Sequence, residues 1–524
     1  MPIFDPMIGT LPLREVLLDR YVRFIDEVAE EIQKRGLPPL SDIMDRIMES
    51  DFTDEEMQSR MSTEFLFYQK EIQQPAAEDV RSRNASDRGR WRKARVSGSF
   101  LCEFLTGLNV DEPLASDSFG VHSICLRVSW LPDFTMRSYP TSAFLSSCHY
   151  NFAVLYVGPY RPGSGSPGAY LVLNAYDKMI TVVPKLPHGA VTTSSHYSIG
   201  TGVCIRRANH HGRFVLAELL LREEGGLASN IADLFLWWST GSASCSEQWV
   251  HHQVQLPLPS ETEEHTSRPT FTFRSDVVLA VGRYGLCWVD LLQGVLICDD
   301  VSNRRRPPYH GSNKQHRQFC FVTLPEGCSV KPSRGVRGLP DEYRSACCVD
   351  CDGEGILRFV SMDGSGEGPT SAVTLTLWSM CVTRDKQWVK GPSVTLGELL
   401  ADQVNEEFLR LQPFRPIISM TQENVIHLFF ARPDSADSTL EYMDIPARHW
   451  MARLELNLED GKVINSFSAE GGHGVTPPPC PYISNFLGYY GRKKLVFSVS
   501  SSVLVKLEHL VCDAGSILIY SSLG

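Results

Sequence analysis

Leu234-Phe-Leu-Trp-Trp-Ser239, followed after a polar turn by Gln248-Trp-Val250, is echoed downstream by Leu375-Thr-Leu-Trp-Ser379 with Gln387-Trp-Val389. Each unit reads as a strand, a turn and an aromatic-bearing strand, the pattern of the outer hairpin of a propeller blade. Arg448-His-Trp450 with Met451-Ala-Arg-Leu-Glu-Leu456 reads as a third, degraded copy. A hairpin this small cannot bury its own apolar face. Its recurrence therefore favours blades stacked about an axis over packed sandwiches.

Short β-branched, aromatic or alternating runs lie on both sides of the repeat. Upstream they are Gly120 to Trp130, Asn151 to Val157, Ala169 to Ala175, Gly202 to Arg206 and Phe214 to Leu221; downstream, Phe319 to Leu324, Ile356 to Val360, Val373 to Met380, Val425 to Phe430, Trp450 to Leu458, Leu495 to Val499 and Ile517 to Ser521. Turn-rich stretches separate them, such as Pro159 to Gly168, His188 to Ser195 and Ser260 to Pro269. The count comes to about two dozen strands with one helix around Leu396 to Arg410, and four strands per blade gives around six blades, give or take one. Between the two copies, Gly285-Leu-Cys-Trp-Val-Asp290 and Gly294-Val-Leu-Ile-Cys298 read as two strands joined tightly around Gln293-Gly294. Trp288 is expected to pack between sheets as a blade anchor. Gly294 is expected to supply a turn conformation that a β-carbon would resist.

Before about Val96 the chain has a different character. From Arg14 to Lys34, Leu17, Tyr21, Phe24, Ile25, Val28 and Ile32 recur at spacings of three and four, which predicts a helix ended by Gly36-Leu-Pro-Pro39. A second helix is expected after Ser41 and a third after Thr53, where Thr53 and Glu56 have capping-box spacing. These helices are expected to pack on each other or on the main domain, a partner-binding helix being the sharper alternative. Leu11-Pro12 ahead of an apolar helix would suit an F-box, but the downstream small helices with a Cys and a Trp are missing. Arg81 to Arg95 holds seven basic residues against Asp87. It reads as a solvated linker, the alternatives being an import signal or a phosphate contact with Trp91 as a stacking face. The organisation expected is a helical segment over 1–80, a basic linker over 81–95 and a mainly β, propeller-like domain over 96–524.

Composition bounds the function. The 524 residues are 43 % hydrophobic and 21 % charged, as in a globular protein able to bury a large core. A net charge of −11 opposes a surface devoted to nucleic acid, even with Arg304 to Arg306 added to the basic stretch. The N-terminus lacks the basic and apolar segments of a secretory signal, and no run approaches a membrane span. A cytoplasmic or nuclear location follows as the expectation. It makes the 15 cysteines reduced core residues and leaves the sequon Asn84-Ala-Ser86 unused.

No catalytic, cofactor-binding or metal-ligating residue can be assigned from the motifs. Cys347, Cys348 and Cys351 form the densest thiol group, but a structural zinc needs a second pair that the chain lacks, so they read as buried or edge thiols. His210-His211 and His251-His252 are adjacent and would leave opposite faces of a strand. Gly364-Ser-Gly-Glu-Gly368 lacks the Lys-Ser/Thr of a phosphate loop, and Gly163 to Gly168 lacks nucleophile-elbow spacing. Asp290, Asp299 and Asp300 lie near the central turn, where pairing for acid–base work is a matter of distance.

Gly285-Leu-Cys-Trp-Val-Asp-Leu291, Gly294-Val-Leu-Ile-Cys-Asp299, Phe321-Val-Thr-Leu-Pro325, Asp341-Glu-Tyr-Arg344, Leu357-Arg-Phe-Val360 and Leu377-Trp378 with Trp388 resemble the grass-expanded plant family known as domain of unknown function 1618. Tyr170 to Ala175 with Leu186-Pro187, and Phe214 to Leu219, resemble its amino-terminal half, so the resemblance covers roughly residues 96 to 470. It implies an all-β body similar to F-box-associated and kelch propellers, with no established activity and no family catalytic residues; the first 95 residues depart from it. The function expected is a non-enzymatic, intracellular module that binds a protein partner or a ligand through its loops, with no cofactor. The alternative is an enzyme or metabolite-binding propeller with polar residues at a central channel.

Overall fold

A computed structural model describes residues 14–488 of the chain, apart from residues 20, 51, 87–90, 94–106, 111–120, 130–142, 158–168, 176–177, 184–185, 187–202, 207–213, 225–226, 240–248, 260–272, 283–284, 300, 302–318, 331–339, 352–353, 365–368, 402–405, 433–438, 441–444, 447–449 and 469–482. Residues 1–489 cluster as one compact unit. Leu11-Pro12, the three turn-rich loops, His210-His211, Asp300, Arg304 to Arg306 and the strands expected at 495–499 and 517–521 lie outside the described residues.

The N-terminal helix is shorter than its periodicity predicts. Residues 14–26 form two strands, β1 (Arg14–Asp19) and β2 (Tyr21–Asp26), and only then does helix α1 (Glu27–Lys34) begin. Asp26 sets that boundary, its Oδ1 accepting from the backbone N–H of Val28 at 2.9 Å and of Ala29 at 3.0 Å. The helices α2 (Leu40–Met48), α3 (Asp54–Tyr68) and α4 (Gln74–Ser86) follow, with one π-helical turn over Gln69–Gln73. The Thr53–Glu56 capping box is formed as expected. Val28, Ile32, Tyr68, Ala76 and Ala77 bury one another, so the apolar stripes meet within the helical group.

Of the stretch expected to be a solvated linker, residues 81–86 and 91–93 are described, and all but Trp91 belong to a helix or a strand. Residues 81–86 finish α4, where Arg81 donates to the Ser129 carbonyl at 3.1 Å and Arg83 pairs with Glu31 at 2.5 Å. Beyond it, β3 (Arg92–Lys93) pairs with a later strand, and Trp91 is buried in a core cluster rather than offered for stacking.

From there the chain is strand after strand: β4 (Leu108–Val110), β5 (Val121–His122), β6 (Cys125–Val128), then β7 (Ala143–His149), β8 (Phe152–Val157), β9 (Ala169–Asn174) and β10 (Met179–Val183). Three four-stranded antiparallel sheets follow in sequence: β11 (Val203–Arg206) to β12 (Phe214–Glu224), β13 (Leu227–Trp238) and β14 (Val250–Gln255); β15 (Val277–Val281) to β16 (Gly285–Asp290), β17 (Gly294–Cys298) and β18 (Phe319–Thr323); β19 (Arg344–Cys351) to β20 (Glu354–Asp363), β21 (Thr374–Cys381) and β22 (Val389–Thr395). The helix expected around Leu396 to Arg410 is a short α5 (Leu396–Leu400) and a separate 3-10 turn, Glu406–Arg410. The last large sheet joins β23 (Gln412–Ile418) and β24 (Val425–Ala431) to β27 (Trp450–Asn457) and β28 (Lys462–Ser468), around a minor hairpin of β25 (Thr439–Leu440) and β26 (Ile445–Pro446). Finally, β29 (Ile483–Gly488) pairs antiparallel with β1, which also pairs with β5, while β3, β10, β9, β8, β7, β2, β6 and β4 are paired in that order as one eight-stranded sheet.

The fold is thus mainly β, a propeller-like succession of antiparallel sheets with few helices. The repeated Trp units are the third and fourth strands of their sheets, β13–β14 and β21–β22. The third copy is one strand out of step, because Trp450 opens the third strand of its sheet instead of preceding the fourth.

Core clusters lie between consecutive sheets. Along β16, Leu286 and Trp288 pack towards Val215, Leu234 and Leu236 of one neighbouring sheet, while Cys287 and Val289 pack towards Leu357 and Phe359 of the other. Period-two alternation with both faces covered explains the unbroken apolar run that the sequence displays here. Trp288 is fully buried between sheets, as expected. Gly294 has a different role from the one expected. It opens β17 with no positive φ, and what excludes a side chain is proximity, since a β-carbon would stand 2.5 Å from the Val322 carbonyl oxygen and the Phe321 ring.

Candidate functional site

Four sheets each contribute one strand to a cavity of about 90 Å³. It is lined by β7 at Ser146–Cys148, β15 at Val277–Leu279, β19 at Arg344–Cys347 and β23 at Arg415–Ile418, with Asp341 just ahead of β19. These strands come together because neighbouring sheets meet along them: β7 lies by β11, β11 by β15, β15 by β19 and β19 by β23.

Two of the lining strands break their ladders at the cavity. The β7–β8 register slips between Leu145 and Ser147, and the β23–β24 register between Phe414 and Ile417. A bulge re-aims side chains that regular alternation would send elsewhere. In β23 the irregularity carries strain as well, for Arg415 holds φ at +53°. The other non-glycine residues with positive φ (Tyr150, Lys178, Lys386 and Asn424) sit in connections between strands, whereas Arg415 is inside one. A left-handed conformation at a bulky residue costs on the order of 1–3 kcal/mol and persists only where surrounding structure fixes it.

The strained residue delivers a guanidinium to the cavity wall. Arg415 is 4 % exposed, and its Nη1 donates to Asp341 Oδ2 at 3.0 Å. Arg344 is 3 % exposed; its Nη1 donates to the Leu291 carbonyl at 2.7 Å and its Nε has no hydrogen-bond partner. Burial holds the Arg344 guanidinium below its ordinary pKa, opposed by the nearby Tyr343, Cys328, Asp363 and Asp290. Arg344 also stands over the Tyr343 ring, 5.4 Å from its centroid. Ser147 adds a buried hydroxyl without a partner. Burial pushes the Cys347 thiol up to about 12, so it is a neutral wall group. The lining therefore carries two guanidinium groups against one carboxylate, and that carboxylate already serves Arg415.

The residues singled out in the sequence fall elsewhere or serve the fold. Cys347 and Cys348 leave opposite faces of β19 and pack in different core clusters; Cys351 closes that strand, its side chain outside the described residues. No group of three or more metal-ligating side chains occurs among the described residues. His251 sits 2.6 Å from Asp233, which Arg222 also holds bidentately at 2.7 Å, and stacks on Phe235. Asp290 is buried and accepts from the backbone N–H of Leu292 at 2.9 Å and of Arg274 at 2.8 Å, a turn-fixing role. Asp299 is 3.4 Å from Lys386. Gly364 turns the chain with φ at +83°. Among the described residues no helix is long and apolar enough to cross a membrane.

Motifs alone do not disclose the cavity arginines. Arg344 is visible only within Asp341-Glu-Tyr-Arg344, as part of a resemblance, and Arg415 not at all. A signal does exist: a lone charge between Pro413-Phe414 and Pro416-Ile-Ile418 contradicts a buried strand unless the charge has a purpose.

No curated protein matches the chain. Among solved structures it is similar to α-L-arabinofuranosidase from Lactobacillus brevis (10 % identity, 60 % of this chain and 89 % of that one, TM-score 0.30) and to 1,3Gal43A, an exo-β-1,3-galactanase from Clostridium thermocellum (11 %, 60 % and 59 %, TM-score 0.27). Apo AztD from Citrobacter koseri is also similar (10 %, 70 % and 79 %, TM-score 0.23). Scores this low transfer neither activity nor ligand. The family described as "Protein of unknown function (DUF1618)" matches residues 288–427, from Trp288 on β16 to His427 on β24, a stretch that contains Asp341, Arg344 and Arg415.

Proposed function

We propose that the chain is a six-bladed propeller acting as a binding module, and that its ligand enters the cavity where β7, β15, β19 and β23 converge. Six blades account for the strand pairing if β29, β1–β2, β5–β6 and β4 form one composite blade, joined to the blade of β7–β10 by the short β2–β7 pairing at Tyr21–Val22 and Ala143–Phe144, with the four later sheets as the remaining blades. In that reading β29 is its inner strand, and β29 lies against both β23 and β7. Clusters joining Leu17 and Val121 to Phe414 and Phe429 on one side, and Val16 and Leu126 to Leu145 and Leu155 on the other, support the closure.

The observation that carries the binding role is the strained Arg415 at a bulge on the cavity wall. A fold that needed only packing would have no reason to retain a buried guanidinium on a left-handed backbone. Binding is favoured over turnover because the lining's one carboxylate, Asp341, is held in an ion pair and the Cys347 thiol is held protonated.

The test is a ligand screen by thermal shift on the full chain, using a small-molecule library, repeated on Ala346→Leu to fill the cavity. Compounds that raise the midpoint for the parent and not for the filled variant support the reading. A library without a single cavity-dependent hit counts against it.

A further inference from the structure

Building on the cavity as the binding site, we infer that its ligand is a compact oxyanion, a phosphate or a small carboxylate, anchored by Arg344. Three observations converge on this. The first is charge: two guanidinium groups face one carboxylate, and Asp341 is taken up by Arg415, so the wall holds no carboxylate in direct contact with Arg344. No acidic side chain stands within ion-pair distance of Arg344 among the described residues. Asp290, which influences it through space, is engaged with two backbone N–H groups, and Asp363 accepts from Ser361 Oγ at 3.3 Å. An arginine does not shed its proton to escape burial as a lysine or histidine can, so the charge waits for a partner.

The second is unused donor capacity. A guanidinium offers five N–H groups in a planar fork matched to carboxylate and phosphate oxygens. Arg344 directs Nη1 to the Leu291 carbonyl while Nε is unpartnered, and the Ser147 hydroxyl on β7 is unpartnered too. The third is size. A cavity of about 90 Å³ has room for several waters or one compact anion, well below the roughly 300–1,000 Å³ of sites for drug-sized ligands. A nucleotide or an oligosaccharide is too large to be enclosed, whereas orthophosphate or a two- to four-carbon acid is not.

The experiment uses the full chain at low ionic strength in a chloride buffer, read by thermal shift and calorimetric titration. Probes are sodium phosphate, acetate and malonate, with sodium chloride at matched ionic strength and glycerol as controls. Saturable binding of phosphate, or of the carboxylates, beyond chloride is the expected result, and the stronger arm identifies the source. Arg344→Met should abolish the oxyanion response while leaving the ligand-free midpoint equal or higher, since a buried unpaired charge is removed. Arg344→Lys should bind about tenfold or more weakly, because the fork is lost though the charge stays. Should Arg344→Met fail to fold, Ser147→Ala supplies the second arm, with weaker oxyanion binding and unaltered chloride behaviour expected. Oxyanions that act no differently from chloride on the parent overturn the inference. If neutral compounds then still bind in a cavity-dependent way, the binding-module reading stands and only the anion is wrong; if nothing binds, both fall.

Discussion

At the scale of single residues, the buried groups differ in what they are for. Trp288 fills the space between two sheets with no exposure, yet its indole N–H makes no hydrogen bond, so the residue contributes volume and not polarity. Trp288→Ala is expected to cost about 3–5 kcal/mol, and Trp288→Phe, which keeps a ring and removes the orphaned donor, less than about 1.5 kcal/mol. Urea denaturation of the two variants checks both, and an alanine variant as stable as the parent would place the indole at the surface. His427 is the titrating counterpart. It is buried 3.5 Å from Glu455 Oε1 with neither ring nitrogen hydrogen-bonded, and burial, aided by the Arg453 charge, lowers its pKa from 6.5 to about 4. The folded state therefore holds a neutral imidazole, while the unfolded chain takes up a proton near pH 6.5. The contribution is present in full above that pH and is lost as pH falls from 6.5 to about 4. A shift of this size corresponds to about 3 kcal/mol. His427→Gln should flatten that part of the stability profile; an unchanged slope between pH 6.5 and 4.5 would mean that the imidazole is solvated.

Elements differ in how much of themselves the sequence discloses. Strands with both faces covered, such as β8, β16, β17 and β24, are readable because their runs are apolar apart from Asp290 at the end of β16 and His427 within β24, and are bounded by turn residues. The segment 14–26 is not, because Leu17, Tyr21, Phe24 and Ile25 satisfy a helical period, while the pairing that makes β1 a strand comes from β29, more than 450 residues away. Long-range pairing overrides local preference, and one sequence window does not contain it. The cavity is illegible for a related reason, since its walls come from four sheets and one of its two arginines, Arg415, is aimed by a bulge that has no fixed sequence mark. Glu15 on β1 shows what this strand does in the fold: Oε2 accepts from Ser419 Oγ at 2.6 Å and Thr421 Oγ1 at 2.8 Å, and Oε1 from the Met420 backbone N–H at 2.9 Å. Those bonds fasten β1 to the turn that leaves β23 and its cavity wall. Glu15→Ala is expected to destabilise by about 1–3 kcal/mol and to raise hydrogen exchange first at residues 419–421. Exchange there equal to the parent's would remove Glu15 from the turn.

On the scale of the whole molecule, the question is whether the sheets form an open row or a closed ring. The repeat of Trp-bearing hairpins announces a succession of similar units, but the closing blade proposed above has no repeat signature, because the two ends of the described chain would build it together. Ring and row respond differently to loss of β29. In a row, ending the chain after residue 482 leaves β1 without its antiparallel partner and harms only that edge. In a ring, β29 lies against β23 and β7, so its loss opens both flanks. The clusters around Phe414 with Leu17 and around Leu145 with Val16 would then meet water together. Native-state hydrogen exchange on the truncated chain separates the two. The expected outcome is loss of protection in β1, β7 and β23 at once, while β16 and β17, whose two clusters lie between other sheets, keep theirs. The cavity should fail with the ring, because β7 and β23 supply two of its walls, and oxyanion binding should disappear in the same variant. Protection lost from β1 alone, with the anion response intact, would mean that the sheets stand in a row and that the cavity owes nothing to closure.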